Sequence, residues 1–64
     1  MDRQAKAIEH ILKRGSLTIQ EFQNLFPEVN RRSLQRDLKA MVDQGLVVTQ
    51  GETHHLLYRL AGPG

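Results

Sequence analysis

Residues 18–45, TIQEFQNLFPEVNRRSLQRDLKAMVDQG, decide the fold because they predict two helices separated by a short turn. Thr18 and Glu21 have the spacing of a capping box, in which each side chain accepts a backbone N–H at the start of a helix. Pro27 ends that helix because it lacks an N–H and restricts the residue before it. Asn30 is a favourable N-cap, so the next helix begins almost at once. Two helices joined by so short a turn form a helix-turn-helix.

Both helices have an apolar stripe at helical spacing. The first helix is predicted over residues 19–26, and its stripe is Phe22, Leu25 and Phe26. The second is predicted over residues 31–44, ends at Gly45, and has as its stripe Leu34, Leu38, Met41 and Val42. On a helical wheel with Leu34 at 0° and about 100° per residue, the sector from about 140° to 200° contains Arg32, Arg36, Lys39 and Asp43. The basic side chains are therefore predicted to face away from the core.

Another helix is predicted before this pair, over residues 2–14. Its apolar stripe is Ala5, Ile8, Ile11 and Leu12. Gly15 can take the left-handed conformation that ends a helix. Leu17, in the short extended link that follows, is expected to pair at the edge of a sheet.

The apolar period changes to two after Gly45, which predicts a β-hairpin with strands over residues 46–50 and 56–60. Pairing Val48 with Tyr58 places Leu46 opposite Leu60 and puts both apolar sets on one face. The order helix, short strand, helix, helix and hairpin is that of a winged helix-turn-helix. We therefore predict a mainly α winged helix-turn-helix domain over residues 1–60, with a small β-hairpin in a two- to three-stranded antiparallel sheet. Residues 61–64 are predicted to be a flexible tail.

Length and composition limit the function classes. A chain of 64 residues forms one domain, too small for a deep enzymatic cleft. It has no cysteine for a disulfide or a thiolate zinc site. No apolar run approaches the roughly 20 residues of a membrane span, and no nucleophile elbow or glycine-rich phosphate loop occurs. We expect a soluble cytoplasmic protein that is not an enzyme and has no cofactor and no membrane contact.

Positive charge is concentrated on the second helix of the pair. Residues 30–40 contain four basic residues and one acid, whereas the whole chain has a net charge of +2. A basic stripe on an otherwise balanced domain is typical of proteins that contact phosphates. The alternative is a solvated helix face. Asp37, at the margin of the core stripe, is expected to form a structural ion pair.

A run of residues resembles the second half of a DeoR-type helix-turn-helix: VNRRSLQRDL (29–38), Met41-Val42 and Gly45-Leu46. The first half of that motif is matched by Gly15-Ser16-Leu17-Thr18, Glu21-Phe22 and Phe26. Similar modules end Fic-family proteins and some ATP-binding regulators, with a final Tyr-Arg-Leu like residues 58–60. Two positions depart from the pattern: Gln23 stands where a small residue is usual, and Pro27-Glu28 replace a glycine-bearing turn.

The resemblance implies a DNA-binding domain, either of a transcriptional regulator or of a larger protein. It implies that the major groove is faced by Arg31, Arg32, Gln35 and Arg36, and that a phosphate is bound by Ser33 or Thr18. The chemistry agrees, because arginine bonds guanine bidentately and glutamine does the same with adenine. Lys39, farther from the helix start, is expected to contact phosphate.

The hairpin loop, or wing, contains three candidate contact residues, Thr53, His54 and His55. Adjacent residues of a strand point to opposite faces, so the two histidines do not readily chelate one ion and we expect no metal site. The wing also carries Glu52, and we expect it to add little to binding. The predicted partner is double-stranded DNA, with a larger parent chain or a homodimer as a further possibility. A protein-interaction or dimerisation module is the alternative, favoured by the low charge and by Leu57 on the outer strand face.

Overall fold

The computed structural model describes residues 2–52 and 55–62. Along the chain it has α1 (Arg3–Arg14), α2 (Ile19–Leu25), α3 (Arg31–Asp43), β1 (Val47–Gln50) and β2 (Leu57–Leu60). The two strands form an antiparallel sheet, and Leu17 makes one antiparallel bridge to Tyr58 of β2. This is the mainly α winged helix-turn-helix architecture that the sequence predicts. Each helix bound lies within one residue of the predicted bound.

The helices begin and end where local hydrogen bonding predicts. Glu21 donates its N–H to Thr18 Oγ1 (3.0 Å), and Thr18 donates its N–H to Glu21 Oε1 (2.8 Å), which completes the capping box of α2. Asn30 Oδ1 accepts the N–H of Arg32 at 2.8 Å and so caps α3. Gly15 ends α1 in the left-handed region, with φ at 91°.

The core lies where the three helices meet one face of the hairpin. Its fully or almost fully buried residues are Ala7, Ile11, Leu17, Phe22, Leu34, Leu38, Met41 and Val47. Phe26 packs edge-on against Phe22 with ring centroids 5.6 Å apart. The predicted stripe of α3 is confirmed, with Val42 partly buried at its margin. No helix in the described part of the chain has the length and apolar character needed to cross a membrane.

Three positions of the predicted helix stripes lie on the surface instead. Ala5 and Leu12 of α1 are exposed, because the packed face of this helix is centred on Ala7 and Ile11, one helical turn apart. Leu12 follows Ile11 by about 100° and points past the core, with 69% of its surface exposed. Leu25 is 43% exposed because it lies in the last turn of α2, where Phe22 already fills the interior.

The hairpin register differs from the prediction by one residue. Val47 pairs with Leu60 and Thr49 with Tyr58, whereas the apolar pattern predicts Val48 opposite Tyr58. A shift of one residue exchanges the two faces of a strand. Val47 is accordingly buried and Val48 is 48% exposed. The prediction failed because residues 46–48 are all apolar, so alternation alone cannot select the buried face of β1.

The turn of the hairpin requires a glycine at one position. Gly51 has φ at 98°, and a Cβ there would lie 2.6 Å from the carbonyl oxygen of His55. His55 in turn donates its N–H to the carbonyl of Glu52 at 2.9 Å. The close approach of Gly51 to His55 draws the ends of β1 and β2 together.

Candidate nucleic-acid interface

A groove of about 540 Å³ lies between the N-terminal ends of α2 and α3 and the strand β2. Its polar lining is Thr18, Gln20, Arg31, Gln35 and His55. Its apolar lining is Ile19, Leu56, Leu57 and Tyr58. Four residues selected from the sequence, separated by as many as 37 positions, are therefore brought to one concave surface: Thr18, Arg31, Gln35 and His55.

The other selected residues of α3 lie outside this groove. Arg32, Arg36 and Lys39 are exposed on the outward face of the helix. This face lies next to the flank that carries Gln35. Ser33 is half-buried and lies on the opposite flank, since it precedes Leu34 by about 100° whereas Gln35 follows it by the same angle. A ligand that fills the groove therefore does not reach Ser33.

The cations of α3 have no acidic partner among residues 2–52 and 55–62. Ion pairs within 4.0 Å engage basic residues of α1 instead, with Arg3 bound to Asp37 and with Lys6 and Lys13 both beside Glu9. The four α3 side chains left with their charge available to a ligand are Arg31, Arg32, Arg36 and Lys39.

Asp37 is occupied by α1. Arg3 Nε donates to Asp37 Oδ2 at 2.6 Å, which confirms the predicted structural ion pair. The hydrogen bond and the charge of Asp37 raise the pKa of the Arg3 guanidinium above its ordinary value. Because Arg3 neutralises Asp37, the acid left on the outward face of α3 is Asp43, in its last turn. The positive charge of α3 is therefore concentrated in its N-terminal half.

Thr18 has a structural role that limits how it can bind a ligand. Its Oγ1 already accepts the N–H of Glu21 in the capping box. A threonine hydroxyl has one proton to donate as well as its lone pairs, so Thr18 can still donate to an anionic oxygen in the groove.

Gln23, which sequence reasoning treated only as a departure from a family pattern, closes the turn between α2 and α3. Its Nε2 donates to the carbonyl oxygens of Phe26 (3.0 Å) and Val29 (2.8 Å). The turn has one backbone hydrogen bond of its own, from the Val29 N–H to the Phe26 carbonyl at 3.1 Å, and Gln23 adds two more. The amide side chain of Gln23 thus braces the turn that leads into α3.

Sequence reasoning also missed the part that β2 plays in the groove. Tyr58 was predicted only as a core residue, and it is half-buried against the core while also lining the groove. Burial raises the pKa of its phenol above the ordinary value. The sequence offered one signal that Gln20 lines the groove. Gln20 lies in the first turn of α2, beside Thr18, which was predicted to bind phosphate. The predicted wing residues Thr53 and His54 lie outside the described residues.

Comparison with known proteins identifies the fold and no family. No family model matches the chain, and no curated protein matches it. A crystal structure of dissimilatory sulfite reductase D (DsrD) superposes with a TM-score of 0.81 at 18% identity, covering 97% of this chain and 89% of that one. A neutron crystal structure of the same protein gives 0.81 at 19% identity, covering 98% and 95%. At such identities the similarity shows the fold alone.

The DeoR-type resemblance, with its extension to Fic-family and ATP-binding regulators, is wrong as a family prediction. The two solved structures reported above are of DsrD, and no family model supports the resemblance. The structure explains the error, because the residues that carried the resemblance serve the fold. Thr18 caps α2, and Leu34 and Leu38 are core. Any helix-turn-helix needs such residues, whatever its family.

Proposed function

We propose that this chain binds double-stranded DNA through α3 and the adjacent groove, as a transcriptional regulator or as the DNA-binding module of a larger protein. The observation that carries the proposal is the set of four exposed α3 cations with no acidic partner in the described structure, beside a groove of about 540 Å³. Four unpaired cations on one helix repel each other, which is unfavourable. A bound polyanion reduces this repulsion. The proposed activity is binding alone, in the cytoplasm, with no catalytic step and no cofactor.

The outward face of α3 suits the major groove, which is wide enough to admit one helix. Arg32 and Arg36 lie on this face at about 160° and 200° from Leu34, so they extend farthest from the core. Both lie in the half of the helix that is remote from Asp43. We assign base contacts to these two arginines, since a guanidinium bonds guanine bidentately.

The groove between α3 and β2 suits one sugar-phosphate strand. Arg31 and Gln35 line it from α3, Thr18 from the start of α2 and His55 from the hairpin. These side chains supply the N–H and O–H donors that most phosphate contacts use. The apolar lining by Leu56 and Leu57 offers van der Waals contact to sugars rather than further charge. Lys39, one turn beyond Gln35, is assigned to phosphate.

The salt dependence of binding tests the proposal. In sequence-independent binding to a random duplex, Arg32 and Arg36 also lie against phosphates. If all four cations then displace one counterion each, log K falls against log salt with a slope of about −3.6, four times the value of roughly −0.9 for one phosphate contact. Fluorescence anisotropy of a labelled random duplex, titrated at several salt concentrations from about 50 mM upward, measures this slope. Absence of any association at about 50 mM salt and 100 μM protein would overturn the proposal.

A matched pair of variants separates a DNA-binding face from general attraction of a basic protein. Arg36→Ala and Lys13→Ala lower the net charge by the same amount, but Lys13 lies on α1 and pairs with Glu9 at 3.3 Å. We expect Arg36→Ala to weaken binding and to make the slope shallower by about one, while Lys13→Ala changes neither. Equal losses from both variants would mean that the net charge, rather than α3, attracts the duplex.

A protein ligand in the same groove is the second candidate function. It is favoured by the apolar lining formed by Ile19, Leu56, Leu57 and Tyr58, which is more than a phosphate strand needs. A chain that binds no duplex in the titration above, yet keeps its fold by circular dichroism, would favour this candidate.

A further inference from the structure

His55 is the residue that the hairpin turn contributes to the polar side of the groove. Its backbone is held by the turn, because its N–H donates to the Glu52 carbonyl at 2.9 Å and its own carbonyl oxygen lies against Gly51. It lines the groove together with Arg31 and Gln35 of α3. The turn therefore places a titratable side chain beside the part of the groove assigned to phosphate.

The charges around His55 leave it available to an anion. Arg31 of α3 is the one charged residue that lines the groove with it in the described part of the chain, and no carboxylate does so there. Tyr58 of β2 also lines the groove, and burial raises the pKa of its phenol, so it is neutral below about pH 10. Glu52, in the same turn, makes no ion pair with His55 within 4.0 Å. The lining from the start of α2, Thr18 to Gln20, is uncharged.

Histidine is the side chain whose charge ordinarily changes between about pH 8 and 5. A neutral imidazole has one N–H to donate, whereas an imidazolium has two and a full positive charge. Its hydrogen bond to a phosphate oxygen is then charge-assisted and stronger. Two cations in one groove repel each other, and an anionic strand beside both of them reduces that repulsion. A ligand that binds the protonated form better is bound more tightly where that form is populated.

We propose that His55 is a proton-linked phosphate contact, so that this domain binds duplex DNA more tightly as the pH falls from about 7.5 to 5.5. The inference rests on the proposed function and deepens it by assigning a regulation to the groove. At neutral pH the wing adds little to binding, and protonation turns its last residue into a further cation. Because the contact is to phosphate, it strengthens binding to every sequence alike.

Duplex titrations at two pH values test the proposal. Fluorescence anisotropy of a labelled random duplex is measured at about pH 7.5 and 5.5, each at several salt concentrations. We expect the wild type to bind about fivefold more tightly at the lower pH, the usual advantage of a charged over a neutral hydrogen bond. The slope of log K against log salt should steepen by about 0.9, the value for one further phosphate contact. Carboxylates, lysines and arginines ordinarily keep their charge over this range.

Substitutions at position 55 separate its effect from that of the other histidines. His55→Gln stays polar but cannot gain charge, so its affinity should change by less than about twofold between the two pH values. His55→Lys is charged at both, so it should bind more tightly than the wild type at about pH 7.5 and respond no more than His55→Gln. His10→Gln is the matched control, since His10 lies on α1 beside Glu21, at 3.7 Å, and outside the groove. It should keep the wild-type response.

Each outcome assigns the failure to one proposal. Wild-type binding that is equal at the two pH values would overturn the inference and leave the proposed function standing. A response that persists in His55→Gln would also overturn it and indicate another group, such as His54. Absence of binding at both pH values would overturn the proposed function and this inference with it. Residue 55 is exposed, so both substitutions should leave the domain folded, which circular dichroism at each pH checks.

Discussion

At the scale of single residues, Gln23 shows how one side chain can hold a short turn between two helices. The amide donates to two carbonyls of the turn, those of Phe26 and Val29, and the Phe26 carbonyl also accepts the backbone N–H of Val29 at 3.1 Å. Each of these hydrogen bonds holds the segment that connects α2 to α3. The direction in which α3 leaves the turn is therefore tied to Gln23.

Replacing Gln23 by alanine should lower the free energy of unfolding by about 1 to 3 kcal/mol, since two hydrogen bonds of about 0.5 to 1.5 kcal/mol each are lost. Urea unfolding followed by circular dichroism measures the change. Gln20→Ala is the control, because Gln20 bonds only to Asn24 on the exposed side of the same helix, at 3.1 Å. The control should change stability by no more than about 0.5 kcal/mol. Equal effects of the two substitutions would show that the turn does not depend on Gln23.

Tyr58 leads to a prediction about alkaline pH. Burial disfavours the phenolate, so the pKa of Tyr58 in the folded chain lies above its value of about 10 in the unfolded chain. The resulting stability is complete below about pH 10 and is lost as the pH rises from there through the folded pKa. Tyr58→Phe has no such group, and its stability should fall less between about pH 9 and 11.

Urea midpoints for Tyr58→Phe and the wild type, measured from about pH 8 to 11, test this expectation. The lysines titrate in both proteins and cancel in the comparison. Curves that stay parallel over the whole range would contradict a raised pKa of the half-buried phenol. A difference that is already present at about pH 8 would indicate a role in packing rather than in titration.

At the scale of elements, α3 is divided by charge along its length and by angle around its axis. Its inner face is core, one flank borders the groove through Gln35, and the other flank is tied to α1 through Asp37. The outward face remains for a ligand, with Arg36 near its middle and Asp43 at its C-terminal end. Base reading and phosphate binding should therefore be separable by position on this one helix.

Arg36→Ala should relax the preference for one base pair by about 1 to 3 kcal/mol, because a bidentate contact to guanine is lost. Lys39→Ala should weaken binding to every sequence alike and make the salt slope shallower by about one. Selection of bound duplexes from a randomised pool, followed by sequencing, distinguishes the two patterns. Sequence-independent losses of the same size from both variants would contradict base reading by Arg36.

At the scale of the whole molecule, the domain depends on a small set of shared core residues. Leu38 is fully buried in the middle of α3, the helix that packs against α1, α2 and β1. A chain of 64 residues has a free energy of unfolding of about 3 to 10 kcal/mol, so the loss of one such side chain is a large fraction of it.

Leu38→Ala should destabilise the domain by about 2 to 5 kcal/mol through lost contacts and a residual cavity. Chemical unfolding at about 25 °C measures this, with Leu12→Ala as a control of identical chemistry at a position that is 69% exposed. The control should stay within about 0.5 kcal/mol of the wild type. A near-neutral effect at Leu38 would mean that the core has been placed on the wrong face of α3.

The sequence alone determined the elements and their order, because caps, proline and glycine act over a few residues and leave local signals. Thr18 with Glu21, Asn30 and Gly15 each end or begin a helix where the pattern predicts. The sequence also selected four of the residues that line the groove, since polar residues at helix starts and in a hairpin loop are recognisable by type and position.

Only the tertiary structure decided which apolar residues are buried where the sequence offers several in a row. Val47 is buried rather than Val48, and Ala7 rather than Leu12. Neighbouring elements cover one side of each element, and the apolar pattern of the sequence does not show which side is covered. It also decided that Gln23 spans the turn and that Arg3 neutralises Asp37, since these partners meet only when the helices pack. Contacts between distant segments depend on the relative placement of whole elements, and a local pattern carries no record of that placement.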